Sequence, residues 1–260
     1  MGIGMNSKNN YVWAMTAQAY HELVDFNSCD LVKSYIDIGN NINENPDVSE
    51  NYVYMSKLSN EIALCTIHGV MIPRASAIQR YFGFSGILDI RDELESFKKM
   101  NHSKIIFEID SPGGTVLAGD VLCETIEGLE VDTIAYSETN MLSLGYWVGC
   151  ATDKIVTTPS ASVGSIGILA STVKYPSDYV YTFKKGKLKN SGSSDEKMTL
   201  EEMQFLTDLV ERDYDDFVNY VSGRRNWEVS EIQALESSYS RAKHTPRYVD
   251  DIVNNINDLI

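Results

Sequence analysis

The sequence predicts an α/β domain built on a mainly parallel sheet, and three observations carry that prediction. Apolar runs of strand length recur along the chain, at 62–72 (I-A-L-C-T-I-H-G-V-M-I), 104–110 (K-I-I-F-E-I-D), 133–136 (T-I-A-Y) and 153–158 (D-K-I-V-T-T). They are rich in Ile, Val and Thr and nearly continuous, as expected of strands buried on both faces. Helical patterns separate them, which is the alternation that produces crossover connections.

The helical segments follow from their spacing. G-I-L-D-I-R-D-E-L-E-S-F-K-K places apolar residues at 87, 90, 94 and 97, one face of an amphipathic helix. T-V-L-A-G-D-V-L-C-E-T-I is read as a helix that follows directly on S-P-G-G at Ser111–Gly114, and a further strand is expected near Tyr179–Phe183. Over Leu200–Ser222, Met203, Leu206, Val210, Phe217 and Val221 keep one face apolar, and Thr199 with Glu202 has capping-box spacing. Two short helices are expected to finish the chain. Residues 11–37 carry apolar positions at mixed helical spacing and are read as one or two short helices. The Asn-rich stretch 39–51 is read as a linker. The expected division is therefore an N-terminal helical extension and polar linker over 1–58, and the main domain with its C-terminal helices over 59–260.

Composition bounds the function. The chain has 260 residues, 43% of them hydrophobic, enough for one sizeable core. With 22 basic and 37 acidic residues its net charge is −15, which repels phosphate backbones and anionic lipid and argues against nucleic-acid binding. Four cysteines, Cys29, Cys65, Cys123 and Cys150, form no C-x-x-C pair and fall in apolar segments. They are read as buried reduced thiols rather than disulfides or a zinc site. No apolar run approaches the ~18 residues of a membrane span, and no basic-then-apolar signal pattern opens the sequence, so the expected address is cytoplasmic. No metal or cofactor is expected.

Two turns carry the candidate chemistry. In open α/β sheets functional groups collect at the carboxyl ends of strands, and S-P-G-G stands at such an end, after Lys104–Asp110. Two glycines let the backbone approach a ligand closely, and their N–H groups, read as opening a helix, suit an oxyanion. The alternative is an ordinary strand-to-helix turn. Ser143, in N-M-L-S-L-G-Y-W, likewise follows a strand and opens an apolar helix. It reads either as a helix cap or as a nucleophile, and Asn140 competes for the cap role. None of the four histidines (His21, His68, His102, His244) lies in the hundred residues after Ser143, and no G-x-S-x-G elbow is present. The remaining candidate base is lysine, of which 184–197 holds five.

At these residues the chain resembles the signal peptide peptidase A family of serine peptidases, and within it the phage prohead proteases of the minor capsid protein C type. The motifs are S-P-G-G followed by a small-residue segment, S-L-G-Y-W at 143–147, G-S-I-G-I at 164–168, and G-K-L-K at 186–189. The resemblance covers about 61–223. It implies a Clp-protease/crotonase-like fold of stacked ββα units and a Ser–Lys dyad, with Ser143 as nucleophile and Lys189 as general base. Lys184 is the runner-up when the alignment is made on K-x-G. The oxyanion donors implied are the N–H groups of Gly113 or Gly114 and of Leu144. It also implies protein or peptide substrates, for the phage relatives capsid and scaffold proteins, and a homo-oligomer in the host-cell cytoplasm or prohead. Three departures stand out: Leu144 where the family has Gly or Ala, beside a possible substrate groove with Tyr81–Phe84; a short Ser143-to-Lys189 separation; and a segment 235–252 without the family's glycines. A base working near pH 7 must be a neutral amine. A lysine, with a reference pKa of about 10.4, supplies one only where burial or a neighbouring cation disfavours its charge. Lys189 is accordingly expected to be buried on folding or on assembly. A catalytically silent scaffolding homologue, a cellular signal-peptide-peptidase-like protease and an acyl-CoA enzyme of crotonase type are the alternatives.

Overall fold

A computed structural model describes residues 12–15, 53–98, 102–171, 184–189, 191, 192 and 197–260. In chain order the strands are β1 (Val12–Met15), β2 (Met55–Lys57), β3 (Ile62–His68) and β4 (Val70–Ile72). Helix α1 (Ala77–Tyr81), β5 (Phe84–Gly86) and α2 (Ile87–Phe97) follow. Next come β6 (Lys104–Asp110), β7 (Gly113–Thr115), α3 (Gly119–Glu127), β8 (Asp132–Ser137), β9 (Asn140–Leu142) and α4 (Leu144–Cys150). The remainder is β10 (Lys154–Thr157), β11 (Ser162–Gly164), β12 (Leu169–Ala170), α5 (Leu200–Arg225), α6 (Val229–Gln233), β13 (Tyr239–Arg241) and β14 (Asp251–Ile252).

The predicted apolar runs form the main sheet, in the order β14-β10-β8-β6-β3-β2. All its pairings are parallel except β2 with β3, and β3 runs beside β6 from Ile62↔Lys104 to His68↔Asp110. β2, within the stretch expected to be extension and linker, pairs with β3 in this sheet. Two smaller sheets stand at its carboxyl edge, β12-β1-β7-β4-β5 and β13-β11-β9.

Several local expectations are corrected. The apolar run 62–72 is two strands in two sheets, broken at Gly69, whose φ of 69° turns the chain. Between this run and α2 the chain forms α1 and β5. S-P-G-G does not lead into a helix: Gly113 and Gly114 belong to a three-residue strand, and α3 starts only at Gly119. Strands this short show no period in the sequence, and it is their partners that make them strands. Val12–Met15 is likewise strand, not helix; the rest of the expected N-terminal extension up to 52, and the strand expected near Tyr179–Phe183, lie outside the described residues. The chain ends in one short helix, two short strands and 3-10 turns rather than two helices.

The core forms where these layers meet. α2 buries Ile87, Ile90 and Leu94, as its spacing predicted. α4 is buried on every side, with Trp147 stacked on Phe217 of α5 at 4.4 Å between ring centroids. The Thr199–Glu202 capping box is present and opens α5. Arg224, near the end of α5, donates to the carbonyls of Cys150 (2.8 Å), Ala151 (3.0 Å) and Thr152 (3.2 Å), satisfying acceptors that the end of α4 leaves open. The next residue, Arg225, holds Asp250 through two hydrogen bonds of 2.8 and 3.1 Å, and Asp250 accepts from the Ile155 N–H at 2.7 Å. Cys65, Cys123 and Cys150 are buried free thiols, and burial pushes Cys150 up to about 12.

Candidate active site

Ser143 joins β9 to α4, and everything around it bears on how it is held. Its φ of 53° and ψ of −119° fall where residues with a side chain are strained, at a cost on the order of 1–3 kcal/mol. The hydroxyl does not cap the helix. Ser143 N–H donates to Gly164 O at 2.8 Å, and Oγ donates to Gly167 O at 3.4 Å. The G-S-I-G-I loop therefore supplies both acceptors for Ser143, a role that the motif signalled but residue-by-residue reading missed. Asn140, the expected rival for the cap, lies in β9 instead.

The second wall is S-P-G-G. Ser111 N–H donates to Asn140 O (2.7 Å) and Leu142 N–H donates to Ser111 O (3.0 Å), so the two turns are laced together one residue before Ser143. Gly145, the second residue of α4, approaches so closely that a Cβ there would meet Ser111 O at 3.3 Å. The buried Ser111 Oγ donates to Gly69 O at 2.7 Å and accepts from Gly113 N–H at 3.1 Å. Of the two glycines, Gly113 thus has its N–H engaged by a side chain. Its φ of 113° is open to glycine alone.

Leu144 does not line a groove. It is fully buried in the core, and its Cδ1 fills the space over Gly119, where a Cβ would approach it to 2.9 Å. The bulky residue beside Ser143 is thus matched by a missing side chain on α3. Tyr81 is exposed and Phe84 is buried, so they do not make a continuous groove wall with it. The missing glycines of 235–252 are answered as well. Glu236 and Ser237 take positive φ (48° and 58°) without glycine, and they bring Ser237 Oγ to donate to Ile166 O at 2.9 Å and Ser238 O to accept from Ser165 N–H at 3.0 Å. This segment braces the loop that holds Ser143.

Lys189 is exposed. Its N–H donates to Gly186 O at 3.3 Å, in the turn G-K-L-K, and residues 172–183 between that turn and the site lie outside the described residues. Burial on folding is therefore not what the single chain shows. Lys184 Nζ stands 3.7 Å from the Glu202 carboxylate, an ion pair. The hydrogen bond to Thr199 N–H, more than the charge of Lys184, holds Glu202 below the usual carboxylate range. Of the histidines, His68 pairs with Glu108 at 3.6 Å; the carboxylate beside it raises its pKa above the ordinary value, outweighing its partial burial. His102 lies at the other end of the sheet, before β6, where it lines a cavity of about 540 Å³ with Glu127, Asp132 and Arg224. That cavity opens at the amino ends of the strands and contains none of the candidate residues. Among the described residues no group of three acidic, Cys or His side chains is placed to hold a metal, and no helix is long and apolar enough to cross a membrane.

A mainly parallel sheet with two small sheets at its carboxyl edge, and a buried serine on a strained turn between them, is laid out as a Clp-protease-like fold. The structure of a point mutant of ClpP1 from Listeria monocytogenes superposes with a TM-score of 0.52 at 15% identity, covering 76% of this chain and 94% of that one, which shows the fold. The model of peptidase family S49 matches residues 130–255, a region that holds Ser143, Leu144, G-S-I-G-I and Lys189. A Methanocaldococcus jannaschii protein, provisionally named a protease, is 29% identical over 168 residues, 62% of this chain and 52% of its own length. An Enterococcus faecium protein, provisionally named a signal peptide peptidase, is 28% identical over 155 residues, 55% of this chain and 45% of its own. The matched region thus spans about half the length of these curated relatives.

Proposed function

We propose that the chain is a serine endopeptidase working through a Ser143–Lys189 dyad. The observation that supports this most directly is the strained, fully buried Ser143, held by Gly164 and Gly167 on one side and laced to S-P-G-G on the other. A turn that costs stability and leaves its hydroxyl uninvolved in capping is explained by chemistry at that hydroxyl.

In the reaction, neutral Lys189 removes the Oγ proton as Oγ attacks the peptide carbonyl carbon. The N–H groups of Gly114 and Leu144 hold the resulting oxyanion, and Gly113, committed to Ser111, shapes the strand instead of donating. The Lys189 ammonium returns its proton to the leaving amine as the C–N bond breaks, leaving an ester on Ser143. Water, deprotonated by the same lysine, hydrolyses that ester and Ser143 recovers its proton. With Lys189 exposed in the single chain, the base is proposed to arrive by assembly, across a protomer boundary of a homo-oligomer. Exposed Leu200, Met203 and Phe205 on α5, which follow the lysine turn, suit such an interface. The substrates proposed are phage capsid or scaffold proteins during head maturation, which rests on the motif resemblance.

The test is co-expression with candidate capsid and scaffold proteins, reading cleavage by mass. Wild type cuts; Ser143→Ala and Lys189→Ala do not. Cleavage that persists in Ser143→Ala overturns the reading. A catalytically silent scaffold is the second reading, favoured by the exposed Lys189, and it predicts no Ser143-dependent labelling by a fluorophosphonate in any oligomeric state.

A further inference from the structure

The strand β1 lies between β7 and β12, antiparallel to both. Trp13, Ala14 and Met15 pair with Thr115, Gly114 and Gly113, and Val12 and Trp13 pair with Ala170 and Leu169. Among the described residues, β1 is the strand that links those two in their sheet. Without it a gap one strand wide would remain, flanked by two open edges. Both edges lead to the nucleophile: β7 begins two residues after Ser111, which is bonded to Leu142, and β12 begins two residues after Gly167, which is bonded to Ser143 Oγ.

A gap with an unpaired edge on each side takes an extended peptide by strand addition, because every second N–H and C=O of the guest finds a partner on one side and the rest on the other. Residues 12–15 already occupy it in this way. They are joined to the domain by the chain itself, through the 37 residues 16–52, so a free peptide competes against a covalently tethered rival. We infer that Val12–Met15 is an internal occupant of the peptide channel, an extended segment that closes the site until it is displaced. This rests on the peptidase reading for what the channel is for, but the occupancy is tested separately.

Successive residues of a strand direct their N–H groups to opposite neighbours, so a Trp13→Pro/Ala14→Pro double variant removes one donor toward each edge. The probe is a fluorescein-labelled peptide of residues 8–19, K-N-N-Y-V-W-A-M-T-A-Q-A, followed by anisotropy on full-length protein carrying Ser143→Ala. The expected result is binding at least tenfold tighter to the double-proline variant than to its parent. Equal or absent binding overturns the inference. Fluorophosphonate labelling of the same pair with Ser143 intact decides the other reading. Faster labelling in the opened variant fits both. Tighter peptide binding with no labelling keeps the occluding strand and removes the catalytic serine. Should the prolines prevent folding, Val12→Cys/Ala170→Cys decides, since those two are register partners and Ala170 is exposed. Mild oxidation must then join residues 12 and 170 within one chain, and failure to cross-link overturns the inference.

Discussion

Gly114 and Met71 pack backbone against backbone: a methyl group placed on Gly114 would overlap the Met71 carbonyl. The close approach belongs to the parallel pairing of β4 with β7, Met71↔Gly114, and it sets where the Gly114 N–H points. Gly114→Ala must push the two strands apart. We expect a loss of about 1–3 kcal/mol in denaturant unfolding and a larger proportional loss of Ser143 labelling, since the displaced group is the proposed oxyanion donor. Unchanged labelling in a folded variant would remove Gly114 from the mechanism.

Lys189→Ala and Lys184→Ala separate the two candidate bases. Lys189→Ala should abolish fluorophosphonate labelling, whereas Lys184→Ala should lower it only modestly by loosening the ion pair to Glu202. If the base arrives by assembly, labelling per chain of wild type rises with protein concentration over the range in which sedimentation shows oligomers forming. Concentration-independent labelling of a monomer would place the base within one chain.

Arg224 ties α5 to the end of the helix that begins at Ser143. Arg224→Ala leaves the carbonyls of Cys150, Ala151 and Thr152 without that donor, and we expect about 1–3 kcal/mol of destabilisation. Arg224→Lys should recover only part of it, because one ammonium does not reproduce a fork that reaches three acceptors. Thermal unfolding of the three proteins measures this ordering.

Asp250 gives a pH signature. Partial burial alone would raise its carboxyl, but the hydrogen bonds from Arg225 and Ile155 N–H outweigh it and hold it below the usual carboxylate range. A carboxyl with a lower pKa in the folded state contributes stability that is present above its unfolded value, about 3.9, and is lost as pH falls through the folded value. The stability gap between wild type and Asp250→Asn should therefore be constant near neutrality and close as the pH falls below about 4. A gap that stays open at acid pH would show that Asp250 acts through packing.

Much of the scaffold was legible because its signals are long or repeated. Ile62–His68 and Lys104–Asp110 are apolar enough to be buried strands in any context, and Thr199 with Glu202 announces α5 locally. The site was legible mainly as motifs. That Gly164 and Gly167 hold Ser143, that Leu144 fills the space over Gly119, and that Gly113 is bound to Ser111 are relations fixed by long-range packing, which no window of neighbours contains. Strands of two to four residues, β1, β7 and β12 among them, are strands only through their partners, which is why Val12–Met15 read as helix and S-P-G-G as a helix entry.

The backbone at Ser143 bears on how such a chain changes over generations. Glycine would occupy that turn without strain, so the single substitution that removes the hydroxyl is also one that eases folding at that turn. Serine-to-glycine exchange at 143 is therefore a substitution that separates the cost of the turn from the chemistry of the hydroxyl.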